Sequence, residues 1–278
     1  MISGTWLLVA AILSSTAEPV RQDTVDPHPR TTGPNEPIGP PPAELSYDGF
    51  YHKCAYFHGL PIIGSEKVDD RAFHVIVKTF GKLLARVPEA SIQELVKAHS
   101  HYSIIAAVEG QTDLPEYWNL KNDPNTDWNK RARGLGGRNT SGGEENILEF
   151  PNDRYRGESI YIHEFAHTLA SVVFSRTDPK FRSDLREAYD KAMAEGLWKK
   201  TYSATNRDEY WAEGVQMYFD CARSASPPNG VHNEVCNRVQ LKRYDPRLFN
   251  LVDREFNHNP WRYEGAYCTT KTGVSLKH

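Results

Sequence analysis

The chain has 278 residues, with 33 Lys and Arg against 36 Asp and Glu, a net charge of −3, and 39% hydrophobic residues. Near-neutral charge supplies no field for a polyanion or an anionic membrane. The 11 Phe, 14 Tyr and 6 Trp exclude a wholly disordered chain.

Trp6 to Leu13 is an unbroken apolar run, and Ser15, Thr16 and Ala17 follow with small side chains. This predicts a secretory signal over residues 1–17, cleaved after Ala17, although no Lys or Arg precedes the run. The run is too short to span a bilayer, so no membrane association is expected after its removal. Eight of the 18 prolines fall before residue 43. Residues 18–45 therefore read as a proline-rich flexible arm with too little apolar surface to order itself. The arm has no Cys, so it holds no thiolate to block a metal.

Residues 46–278 read as one domain. Apolar residues from Val68 to Ala85 recur on one helical face, and Ser91 to Ala98 predicts a second, short helix. Tyr102 to Val108 predicts a strand ended by Glu109 and Gly110. Leu114 to Arg133 reads as loop. The glycines of 134–137 and 141–143 bracket a stretch that reads as a mobile loop or, alternatively, within 134–150, as an edge strand to which an extended peptide could add, with a short strand at Ile147 to Phe150. The second half is helical: Gly157 to Ser175, Lys180 to Trp198, Asn206 to Asp220 and Pro246 to Phe256. Few strands and several helices, segregated along the chain, indicate an α+β fold with a small sheet and a mainly helical second half.

Four cysteines in a secreted chain predict two disulfides. Cys221 and Cys236 flank the turn Ser226-Pro227-Pro228-Asn229-Gly230, which favours pairing them and leaves Cys54 with Cys268. Asn139 heads the one N-glycosylation acceptor, Asn139-Thr140-Ser141, and would be exposed if used.

Residues 163–167 read His-Glu-Phe-Ala-His. On a helix, His163 and His167 leave the same face, a spacing at which two neutral imidazoles bind one Zn²⁺ at about 2.0–2.1 Å. Glu164 lies about 100° round, within reach of a metal-bound water. The flanking residues are apolar nearly all round, so the helix is expected to be buried, where two His and a Glu need partners. The third ligand is not a downstream histidine: the positions three and six beyond His167 hold Ala170 and Val173. Glu209 and Glu213 stack one helical turn apart instead. One can ligate a metal while the other accepts the free N–H of a ligand histidine. Asn206 with Glu209 also forms a capping-box pattern, which does not conflict with ligation. The other nine histidines show no comparable pair and read as surface or satisfied core residues.

The motif at 163–167, with Tyr202-Ser-Ala-Thr-Asn-Arg-Asp-Glu209-Tyr-Trp-Ala-Glu213 beyond a helical spacer, resembles the catalytic domain of anthrax-toxin lethal-factor-like zinc metallopeptidases. Less specific stretches, Gly59 to Ser65, Thr112 to Tyr117, Arg133 to Gly137 and Gly143 to Asn146, extend the resemblance over about residues 46–256. The resemblance implies a zincin-like domain with zinc on His163, His167 and Glu209, Glu164 as general base, Tyr202 assisting catalysis, and Glu213 holding a ligand histidine. It implies a zinc endopeptidase acting on a peptide or protein substrate; with the signal segment this reads as secreted and extracellular, and the near-neutral charge argues against a nucleic-acid partner. The large receptor-binding and substrate-recruiting domains of the toxin have no counterpart in this sequence. The rival expectation is a secreted, non-catalytic binding or toxin-like module that keeps a structural zinc. It leaves Glu164 without a purpose, and no fourth protein ligand is evident.

Overall fold

The computed structural model describes residues 29–264, which form an α+β structure. The expected signal peptide lies outside the described residues, as do residues 18–28 of the arm and Cys268. Lys53–Phe57 (β1) and Leu60–Gly64 (β2) form a hairpin turned by His58 and Gly59, both at positive φ, the two-residue turn whose twist matches its strands. The helices Asp70–Leu83 (α1) and Glu89–Lys97 (α2) carry the chain across to Tyr102–Ile105 (β3), which pairs parallel with β2. Asp69 caps α1 through the Arg71 amide.

The next segment departs from expectation. Leu114 to Arg133 holds a 3₁₀ stretch, Pro115–Asn122, and one helical turn, Trp128–Arg131 (α3). The glycine-rich stretch is strand, with Gly134–Leu135 (β4) and Thr140–Gly143 (β5). The sheet order is β1-β2-β3-β5-β4, so β5 is internal and β4 is an edge. No strand forms at 147–150: Glu144–Ile147 (α4) is a buried helical turn, and β3 ends three residues early, leaving Val108 80% exposed.

The helical half follows the predicted order. Ile160–Thr168 (α5) continues through a π-helical stretch, Leu169–Phe174, into the turn Ser175–Thr177 (α6). Phe181–Ala194 (α7), Arg207–Tyr218 (α8), Arg238–Tyr244 (α9) and Pro246–Glu255 (α10) complete the structure. Side chains alternate across the sheet. Ala55, Phe57, Ile62, Tyr102 and Ile104 face the main core with α1 and the helical half, while Cys54, Ile63 and Ile105 face a small second core with Tyr51 and Leu114. Phe80 of α1 stacks on Phe165, inside the His-Glu-Phe-Ala-His motif, with centroids 3.8 Å apart. Among the described residues no helix is long and apolar enough to cross a membrane.

Three expectations are corrected. The proline-rich arm is not free from residue 29 onward: it lies along β1, with Thr32 N–H donating to Tyr56 O at 2.8 Å and Cys54 N–H to Gly39 O at 2.7 Å. Proline needs no ladder partner for its own nitrogen, so it is tolerated on such an edge. Neither expected disulfide forms, because Cys54 and Cys221 are free, buried thiols. They sit in different cores, and burial pushes both thiols up, Cys54 to about 11. Cys236 is disulfide-bonded, to neither of those two. Asn139 is half-buried rather than exposed, and its side-chain oxygen accepts from the His101 amide at 3.3 Å.

Candidate metal centre

The centre lies where α5 crosses α8. Both helices run through the core, so their polar side chains meet each other instead of water. Trp211 joins them: its indole N–H donates to Ala166 O at 2.9 Å while its ring packs on Phe174 and Phe181. Asn206 caps α8, accepting from the Asp208 and Glu209 amides at 2.9 Å. The Glu209 carboxylate does not return to the cap but turns toward α5.

His163 Nε2, His167 Nε2 and Glu209 Oε2 converge. The separations are 3.2 Å between the imidazole nitrogens, 3.0 Å from His163 to Glu209 and 3.3 Å from His167 to Glu209. Three ligand atoms on a tetrahedral ion at about 2.0–2.1 Å stand about 3.3 Å apart, so this donor set fits Zn²⁺ in both spacing and type. The tautomer of His163 fits as well. Gln216 donates through Nε2 to Ser159 O at 3.0 Å, which leaves its Oε1 facing His163 Nδ1 at 2.8 Å. An acceptor there requires Nδ1 to carry the hydrogen and frees the Nε2 lone pair for the ion. Glu213, expected in that place, stands 3.7 Å from Nδ1. Gln216 in this place was not expected from the sequence. Its signal was present, since 209, 213 and 216 are polar positions along one face of a helix with no exposed residue beyond 208.

The electrostatics follow from burial and crowding. Burial alone would push His163 down, but the Glu209 hydrogen bond and the carboxylates of Glu164, Glu209 and Glu213 lift it to about 10 in the metal-free protein. Burial would raise Glu209, yet the two imidazoles hold it well below the carboxylate range. This mutual attraction is what a shared cation replaces. Glu213 is raised to about 7 by burial, against the pull of His163 and His232. Glu164 is raised by burial, while the two imidazoles and the Gly136 amide work the other way. Tyr202 begins a 3₁₀ turn, Tyr202–Ala204, and its hydroxyl donates to Glu209 Oε1 at 3.2 Å. Burial and the Glu209 and Glu164 charges push its pKa far up, so it remains a donor at neutral pH.

The sheet reaches the centre through glycine. A Cβ on Gly136 would lie 2.3 Å from the Glu164 carbonyl oxygen and 2.6 Å from His167 Cβ. A Cβ on Gly142 would lie 2.0 Å from the Tyr102 hydroxyl and 3.2 Å from Tyr161 Cβ. Gly136, just past β4, and Gly142, in β5, permit this end of the sheet to lie directly on α5.

Fold and site together define an α+β chain with a His/His/Glu constellation on two buried, crossing helices. No family model matches this chain, and no curated protein sequence matches it. It is similar to the solved structure of the PRO-PRO endopeptidase (PPEP-2) from Paenibacillus alvei, at 14% identity and a TM-score of 0.47, over 69% of this chain and 96% of that one.

Proposed function

We propose that this protein is a secreted zinc-dependent endopeptidase. The observation that carries the reading is the convergence of His163, His167 and Glu209 with tetrahedral spacing, beside Glu164 and Tyr202. Bound by these three residues, zinc supplies Lewis acidity toward a peptide carbonyl and lowers the pKa of a bound water to about 7. Glu164 takes the proton of the attacking water and returns it to the leaving amine nitrogen. A carboxylate raised by burial suits both halves of that role. Tyr202 donates its hydroxyl hydrogen to the carbonyl oxygen as negative charge develops there. Gln216 keeps His163 in the ligating tautomer. An extended substrate adds to β4, the sheet edge that runs past Glu164. The extracellular location rests on the apolar segment at residues 6–13, since the free Cys54 and Cys221 lend no support to it.

The test is Glu164→Gln in the purified protein, with zinc measured by elemental analysis and cleavage scored on a peptide library with and without chelator. The expected outcome is full zinc content and cleavage reduced by about 10²–10⁴-fold. Cleavage unchanged by the substitution, or by chelation, overturns the mechanism. Zinc retained by a wild-type protein that cleaves nothing favours the rival reading of a structural metal.

A further inference from the structure

His232 and Glu158 form a buried pair that the proposed chemistry does not use. Their side chains are 6% and 7% exposed, with His232 Nε2 3.3 Å from Glu158 Oε2. Glu158 immediately precedes Ser159, the residue that starts α5 and accepts from Gln216. It is fixed there, because its carbonyl accepts from Asn146 Nδ2 at 2.9 Å. On the other side, His232 follows Val231, whose carbonyl accepts the Tyr202 amide at 2.7 Å. The next contact of this loop is again with the residues before Tyr202, since Gly230 N–H donates to Lys200 O at 3.0 Å.

We propose that His232 is a positioning residue for Tyr202: paired with Glu158, it ties the 229–232 loop to the start of α5, so that the Val231 carbonyl holds the Tyr202 backbone at a set distance from the metal ligands. This rests on the reading of Tyr202 as a catalytic donor. A buried ion pair is a poor device for stability alone, because desolvating both charges offsets their attraction. Its use is registry, and here it references Tyr202 to the same short segment that references His163 through Gln216. The Tyr202 carbonyl accepts only within its own turn, from the Thr205 amide at 2.9 Å, so among the described contacts of its backbone the Val231 carbonyl is the one that ties it to another loop, while its hydroxyl meets Glu209. Releasing the loop leaves the phenol in the centre but lets it wander, and a misplacement of about 1 Å costs roughly 10²-fold in rate.

The experiment compares His232→Ala and His232→Gln in the zinc-loaded protein and reads three quantities. His232→Ala lowers kcat by about 10–100-fold with KM and zinc content unchanged. His232→Gln, which keeps an N–H donor toward Glu158, recovers most of that loss. In a Tyr202→Phe background His232→Ala adds little further loss, because the group it positions is gone. Independently of activity, His232→Ala speeds hydrogen exchange of the Tyr202 amide while α5 and α8 exchange as before. Should His232→Ala fail to fold, Glu158→Gln releases the pair from its other side and is expected to give the same pattern. Equal losses in both backgrounds, or an unchanged Tyr202 amide, overturn the proposal even where Glu164→Gln abolishes cleavage. The two ideas therefore fail separately.

Discussion

Gln216 illustrates what a single side chain contributes to this centre. Its amide is oriented by Ser159 O, and through that orientation it sets which nitrogen of His163 faces His167 and Glu209, where the proposed metal would bind. Replacing it with Leu removes the acceptor but not the volume. Gln216→Leu is expected to weaken zinc binding by about 10–100-fold, read by competition against a chromophoric chelator, while Gln216→Glu retains an acceptor and most of the affinity. Glu255, at the end of α10, makes a different residue-scale case. Its side chain is 5% exposed, and burial lifts its carboxyl to about 7 against the Arg254 hydrogen bond, with Asp178 adding to the rise. Between the ordinary 4.5 and about 7 the folded chain binds a proton that the unfolded chain has released. Stability is therefore lost as pH rises through that window. Glu255→Gln should raise the melting temperature near about pH 8, by up to about 3 kcal/mol of stability, and change it little below about pH 4. Thermal melts at the two pH values decide this.

At the scale of elements, the contact between β4 and α5 explains why the sequence leaves the glycine-rich segment open between a mobile loop and an edge strand. Glycine has poor strand propensity, so residues 134–143 carry a turn signal and no period-two pattern. Their composition reflects the helix lying on them. Gly136→Ala puts a methyl group against the Glu164 carbonyl and His167 Cβ, and either the strand or the helix must move. The expected cost is about 1–3 kcal/mol, with cleavage falling more than zinc content because Glu164 is displaced first. Paired melting and activity measurements test that order. The single turn of α4 misleads for a related reason: a buried apolar residue among four looks alike in a strand and in a helical turn. The amphipathic helices α1, α7 and α10 were legible because a 3.6-residue period over ten or more residues is a local signal that tertiary packing reinforces.

For the whole molecule, the centre sits between its two halves. Phe165 of the motif stacks on Phe80 from the sheet side, and Trp211 of α8 ties the ligand helices to the aromatic cluster of Phe174, Phe181 and Phe256. An ion bound by His163, His167 and Glu209 therefore links α5 to α8 across the main core. It also takes the place of the imidazole–carboxylate attraction that lifts His163 and holds Glu209 down. Metal removal should lower stability by about 2.7 kcal/mol relative to protein with free zinc at about 100 times its dissociation constant. A calorimetric scan with and without chelator measures it, and an unchanged midpoint excludes the site as drawn. The docking of the arm on β1 between Thr32 and Gly39 belongs to this scale too, since an exposed strand edge is covered by a segment that composition alone marks as free.

The amino-acid sequence by itself determined the ligand types, their helical spacing and the order of the long helices, because each is set by residues within a turn or two of one another. Tertiary structure alone decided that Gln216 rather than Glu213 meets His163, at 2.8 Å against 3.7 Å, since that difference depends on the angle at which α8 crosses α5. It decided the cysteines as well. Cys54 and Cys221 are thiols, one buried in the small core and one in the main core, and Cys236, which shares the main core with Cys221, is disulfide-bonded to neither; a disulfide needs Cα atoms within about 7 Å, a condition that spacing along the chain does not express.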